Sequence, residues 1–163
     1  AVGREYAVYN GATTVWEHWN SQKEDGSFWS TGMNSFNHYA YGAIGDWLYR
    51  WAAGLQEAAP GFREIRIKPY LNDHFTSMKA EQRTPYGLAS SGWTKEGDAL
   101  TLTVEIPANT TAEVYVPSAA ADKVTESGRA LDGRSDLKVA GWDDGYTLVR
   151  LGSGRYEFRS TLK

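Results

Sequence analysis

Apolar residues fall at Phe36, Tyr39, Ala40, Ala43, Ile44, Trp47, Leu48, Trp51 and Leu55, a spacing of three and four that returns to one face of an α-helix. The spacing predicts one long amphipathic helix, capped at its start by Asn34 or Ser35 and stopped by Ala58-Ala59-Pro60-Gly61. Gly42 and Gly45 inside it each cost about 1 kcal/mol relative to alanine, which points to another backbone packed closely on that side. Upstream, Arg4 to Tyr9 reads as the end of an earlier helix, with Asn10-Gly11 as its left-handed stop. Beyond Gly61 the period becomes two. Ile65 and Ile67 alternate with Arg66 and Lys68, and Leu100, Leu102, Val104 and Ile106 alternate with Thr101, Thr103 and Glu105, as half-buried strands do. Turn signals recur at Glu96-Gly97-Asp98, Ala108-Asn109, Leu131-Asp132-Gly133, Asp144-Gly145 and Gly152-Ser153-Gly154. The expected fold class is α+β in sequence order: helices and no sheet over 1–59, then an antiparallel β-sandwich of about seven or eight short strands over 60–163.

Composition sharpens this division. Of the 22 aromatic residues, 12 lie in the first 51, including five of the seven tryptophans, and all five prolines come after residue 59. Residues 1–59 carry 3 Lys/Arg against 6 Asp/Glu, whereas the remainder is balanced at 14 of each. Two helices and the connecting loop from Ser21 to Met33 cannot bury Trp16, Trp19, Phe28, Trp29, Trp47 and Trp51 by themselves. The first segment is therefore expected to be the C-terminal piece of a larger protein, or to be covered by a partner or a second copy of the chain. The rings of Trp16, Trp19 and Trp29 are then expected to be partly exposed.

Charge and composition also exclude partners. A net charge of −3 with no Lys/Arg run argues against nucleic acid, whose phosphates demand a basic face. No stretch approaches the roughly 20 uncharged apolar residues of a membrane span, and no basic-then-apolar leader opens the chain, so no membrane partner is expected. Zero cysteines exclude disulfides and thiolate chemistry while leaving the compartment open between cytoplasm and exterior.

The residues that could carry chemistry cluster in Gly11-Ala12-Thr13-Thr14-Val15-Trp16-Glu17-His18-Trp19 and in Asn34-Ser35-Phe36-Asn37-His38-Tyr39-Ala40-Tyr41-Gly42. A carboxylate between Trp16 and Trp19 is the setting in which a glycosidase holds a general base: indole faces stack on sugar rings while the carboxylate activates water. The same residues also fit a capping box, in which Glu17 returns a hydrogen bond to the Thr14 backbone. His38, expected in the first turn of the long helix, would stay neutral beside the helix dipole and could serve a sugar hydroxyl, or be satisfied by a neighbouring helix. Glu17, His18 and His38 lack zinc-site spacing, and no metal or cofactor is expected. Asp143-Asp144-Gly145 reads as a hairpin turn rather than a calcium fragment, and Trp93 and Trp142 are either core residues or sugar platforms.

The order of these motifs, continuing into Asp46-Trp47-Leu48-Tyr49-Arg50, Ala53-Gly54-Leu55, Pro60-Gly61-Phe62 and Ile67-Lys68-Pro69, resembles the C-terminal end of bacterial α-L-rhamnosidases over about residues 10–117. The resemblance implies that the helices close an (α/α)6 barrel and that an accessory β-sandwich follows. It implies hydrolysis of terminal α-L-rhamnose with inversion, on rhamnosylated glycosides or polysaccharides. It places the general base at Glu17 and a sugar contact at His38, beside which Trp16 and Trp19, flanking the carboxylate, are the expected sugar-stacking residues. It assigns the general acid to barrel segments upstream of residue 1, so the isolated chain should lack turnover. Two other readings compete: a stand-alone carbohydrate-binding module using Trp93 or Trp142, and a structural domain covering a partner's apolar face. The first needs exposed aromatics in the β segment; the enzyme reading needs them near Glu17, which is where the sequence concentrates them.

Overall fold

A computed structural model describes residues 5–32 and 34–162, leaving Arg4 and Met33 of the expected elements outside the described residues. The chain divides into two compact units, Ala1–Asp46 and Trp47–Lys163.

In the first unit, α1 (Glu5–Tyr9) ends as its sequence requires. Gly11 takes φ +76°, its N–H donates to the Val8 carbonyl and that of Ala12 to the Ala7 carbonyl, so the last carbonyls of the helix are satisfied by a left-handed stop. The long helix expected from Phe36 to Leu55 is not continuous. It starts only at Tyr39, as a 3₁₀ turn over Tyr39–Gly42, continues as α2 (Ala43–Trp47), and widens to a π turn over Leu48–Ala52. Residues 35–38 are withheld from it because their backbone bonds to residues 15–17 instead. At the other end, Leu55 belongs to a strand, so sheet begins ahead of Pro60. A Cβ at Gly42 or Gly45 would meet nothing within 4 Å, so the close backbone neighbour expected there is not found among the described residues.

The second unit is a β-sandwich. One sheet has the order β1 (Leu55–Glu57), β2 (Glu64–Ile67), β6 (Thr111–Pro117), β10 (Tyr146–Leu151), β9 (Leu137–Asp143). The other runs β3 (Ser77–Thr84), β4 (Gly87–Glu96), β5 (Ala99–Ile106), β11 (Gly154–Thr161), β7 (Val124–Glu126), β8 (Arg129–Ala130). Eleven strands among the described residues thus replace the expected seven or eight. Seven of them are six residues or longer and β2 shows the alternation that marked it, whereas β1, β7 and β8, of two or three residues, are too short for an alternating pattern to mark them. The sheets are also not wholly antiparallel. The chain leaves β2 for the β3-β4-β5 meander in the opposite sheet and returns at β6, which pairs parallel to β2 from Glu64↔Thr111 to Ile67↔Val114.

Alternation decides what is buried. Leu100, Leu102, Val104 and Ile106 of β5 and Val114 and Val116 of β6 point inward to a core shared with Ile65, Ile67, Val149 and Phe158. Each such side chain contributes about 1.5–3 kcal/mol by leaving water. Two strand residues also reach back to the end of the π turn. Trp93 Nε1 donates to the Ala52 carbonyl at 2.8 Å and Ser91 Oγ to the Ala53 carbonyl at 2.6 Å, satisfying groups that a helix end leaves open. The next residue, Gly54, has φ +79° and lies against the backbone of Lys68 and Pro69. No described helix is long and apolar enough to cross a membrane.

Candidate active site

The candidate residues lie together in the first unit, where two irregular segments run alongside each other. The Glu17 N–H donates to the Ser35 carbonyl at 2.8 Å, and the His38 N–H donates to the Val15 carbonyl at 2.8 Å. Thr14 Oγ1 donates to the Phe36 carbonyl. Residues 14–17 are not helical, so the capping box does not form. The Glu17 carboxylate does take a backbone N–H, but it is Ser35's, 2.8 Å from Oε2.

That bond leaves Oε1 on the other side of the carboxylate, 3.8 Å from His38 Nε2, with both side chains partly accessible. His38 precedes the 3₁₀ turn rather than sitting in the first turn of a helix, and its ring stacks on Tyr39 with centroids 5.1 Å apart. The arrangement provides one carboxylate fixed by a backbone donor at one oxygen, with a histidine beside the other. It can accept a proton from a water molecule or hydroxyl group and hold a neighbouring polar group.

The flanking tryptophans differ. Trp16, expected to be partly exposed, is only 8% exposed and packs edge-on to Phe36 at a centroid distance of 5.2 Å; this contact fixes the two segments against each other. Trp19 is 45% exposed. Trp29 is also exposed and lies against His18, the ring centroids 4.2 Å apart and the planes tilted by 36°. In the second unit, Trp93 is buried and hydrogen-bonded to Ala52, which removes it as a sugar platform. Trp142 is 40% exposed, its Nε1 donating to the Ser118 carbonyl. Among the described residues no group of three or more His, Asp or Glu is arranged to hold a metal ion.

Sequence reasoning missed the group that holds Glu17. The Ser35 N–H is a backbone donor with no residue signature.

Comparison with known proteins is consistent along the chain. The model of the bacterial alpha-L-rhamnosidase 6 hairpin glycosidase domain matches residues 3–52, and that of the bacterial alpha-L-rhamnosidase C-terminal domain matches residues 54–131. An α-L-rhamnosidase of Streptomyces avermitilis is 36% identical over 153 residues, covering 94% of this chain and 14% of the relative. One from Formosa agariphila is 36% identical over 155 residues, covering 95% and 17% respectively. The chain therefore spans about one sixth or less of the length of these relatives. Among solved structures, the Streptomyces avermitilis α-L-rhamnosidase complexed with L-rhamnose superposes with a TM-score of 0.78 at 35% identity, over 96% of this chain and 14% of that one. With helical and sandwich segments matched in order by two domains of one family, the chain belongs to the bacterial α-L-rhamnosidases and corresponds to the C-terminal part of its members.

Proposed function

We propose that this chain supplies the general base of an inverting glycoside hydrolase that removes terminal α-L-rhamnose from rhamnosylated glycosides or polysaccharides. Glu17 takes a proton from water as the water oxygen attacks the anomeric carbon, and the leaving oxygen departs from the opposite face with a proton from a second carboxylic acid. Inverting pairs stand roughly 6.5–9.5 Å apart, which leaves room for that water. The acid belongs to barrel segments outside this chain, so the chain alone turns over no substrate. His38 bonds a sugar hydroxyl, Trp19 stacks on the ring, and Trp16, whose accessible surface is small, adds a ring edge. The remainder of the barrel covers the exposed aromatic surface of residues 1–46.

The observation that carries this reading is the division of labour within one carboxylate: Oε2 is held by the Ser35 N–H at 2.8 Å while Oε1 lies 3.8 Å from His38 Nε2. A carboxylate that only braced the chain would not need the second oxygen left beside an imidazole. The test is Glu17→Gln in the full-length protein, assayed by steady-state hydrolysis of an aryl α-L-rhamnoside with folding followed by circular dichroism. Glutamine preserves size and an amide oxygen for the Ser35 N–H but cannot deprotonate water, so kcat should fall by several orders of magnitude with rhamnose binding largely kept. His38→Ala should weaken binding and turnover together. A folded Glu17→Gln enzyme keeping more than about a tenth of wild-type kcat, a barrier change under about 1.4 kcal/mol, would remove Glu17 from the role of base.

A further inference from the structure

The contact that fixes the Glu17 carboxylate has a support of its own. On one side of the Glu17–Ser35 bond, Ser35 is preceded by Asn34; on the other, Glu17 is followed by His18. Both neighbours are tied to the same residue. Ser21 Oγ accepts the His18 N–H at 3.1 Å, and the Ser21 carbonyl accepts Asn34 Nδ2 at 3.0 Å. The Ser21 N–H in turn donates to the His18 carbonyl at 3.2 Å, and the Trp29 N–H donates to the Ser21 carbonyl at 3.0 Å. Trp16 and Ser21 are the residues of this unit whose described burial is complete or nearly so. The Asn34 amide is kept at a cost, because its Oδ1 is buried without a hydrogen-bond partner among the described residues. An apolar side chain would avoid that cost, so what the amide contributes here is the Nδ2 bond to Ser21.

From this arrangement we propose that Ser21 is a positioning residue for Glu17, acting through Asn34 on the Ser35 N–H and through His18 on the Glu17 backbone. The inference rests on the reading of Glu17 as the base. A backbone N–H bonded to one carboxylate oxygen fixes the direction of the other oxygen toward the water it must activate. Ser21 is bonded to both segments one residue away from that contact, so loosening either bond lets the donor and the carboxylate drift apart. Of the titratable groups around Glu17, His38 faces it at 3.8 Å, and His18 follows it in the chain with its ring on Trp29.

The experiment compares Ser21→Ala, Asn34→Ala and Glu17→Gln in the full-length protein, measuring kcat and KM for an aryl α-L-rhamnoside together with the melting temperature. The Ser21→Ala variant loses the acceptor of the His18 N–H. Asn34→Ala loses the Nδ2 donor yet leaves the Ser21 carbonyl bonded to the Trp29 N–H, so it opens no buried acceptor and decides the matter if Ser21→Ala does not fold. For each, kcat should fall by about tenfold or more with KM within about twofold. A role confined to folding would lower the melting temperature without splitting kcat from KM in the folded enzyme. Inactive Glu17→Gln beside Ser21→Ala and Asn34→Ala enzymes with wild-type kcat overturns the positioning role and leaves the base standing. An active Glu17→Gln enzyme overturns both.

Discussion

Gly54→Ala should be among the most damaging single-methyl additions to the sandwich, and the structure sets its size. Gly54 has φ +79°, where alanine costs roughly 1–2 kcal/mol. A Cβ built there would stand 2.2 Å from Pro69 N, 2.4 Å from the Lys68 carbonyl carbon and 2.6 Å from Pro69 Cα. All three are backbone atoms, so no side-chain rotation relieves the overlap. The strands must part, and the hydrogen bond from the Lys68 N–H to the Gly54 carbonyl, 2.9 Å long, is the first to break. The neighbouring Leu55↔Ile67 pair, both buried, loosens with it. One hydrogen bond at about 1 kcal/mol, the backbone strain, and partial exposure of two side chains together reach about 4 kcal/mol or more. The assay is urea unfolding of the whole chain followed by tryptophan fluorescence. Gly97→Ala is the internal standard: its φ is +59° but a Cβ there would meet nothing within 4 Å, so it should show only the backbone cost. Equal losses in the two variants, or a loss below about 1 kcal/mol at Gly54, would show that the close approach carries no stability.

Two further outcomes follow from the second unit. Trp93→Phe keeps an aromatic ring in the core but removes the donor to the Ala52 carbonyl, and should cost about 1–3 kcal/mol in the same unfolding assay, with a null effect contradicting the capping role. The Arg134 guanidinium, bonded through Nε to Asp136 at 2.7 Å, holds the Asp136 carboxyl down to about 2 from its usual 3.8. The sign follows from that depression: any stability this pair adds is present above pH 3.8 and is lost as pH falls through about 2. Carboxyl titration by NMR should show that low midpoint, and Arg134→Gln should return it toward 3.8; an unchanged midpoint would refute the pairing.

The strands are legible in the sequence because their information is local. Leu100, Leu102, Val104 and Ile106 alternate within eight residues, and the pairing of β5 with β4 and β11 keeps every one of them inward. The helix is not, because a spacing of three and four fits a 3₁₀, an α and a π turn laid end to end as well as it fits one α-helix. What ends the helical pattern at each side is not local. Val15 and Glu17 capture the backbone of residues 35–38, and pairing with Ile67 draws Leu55 into a sheet. The capping-box reading has the right chemistry with the wrong partner, since Glu17 does accept a backbone N–H, supplied from 18 positions away. Trp16 escapes the sequence for a related reason: its burial depends on Phe36, and no spacing rule joins residues 16 and 36.

The two units treat their polar groups differently, and the difference bears on how catalysis is built. In the sandwich, the end of the π turn is closed by Trp93 and Ser91, buried Thr147 and Ser118 share a hydrogen bond at 2.7 Å, and Ser160 is bonded to the Pro117 carbonyl. In residues 1–46, His18 Nε2 and Asn34 Oδ1 are buried without hydrogen-bond partners among the described residues, against Arg134 Nη1 in the sandwich, which is ion-paired to Glu126 at 2.9 Å, and aromatic faces stand exposed. Yet the Glu17 clamp is complete: donor, carboxylate and the Ser21 bonds all come from residues 17–35. A base needs fixed direction more than deep burial, because it must reach water as well as hold its own geometry. Backbone donors provide direction at little cost in exposure, whereas a clamp of side chains would fill the space the water and sugar require. If Glu17 is the base proposed above, its geometry is set by bonds within residues 17–35, and what the rest of a catalytic site has to add is the acid, the walls that bind the sugar, and the exclusion of bulk solvent.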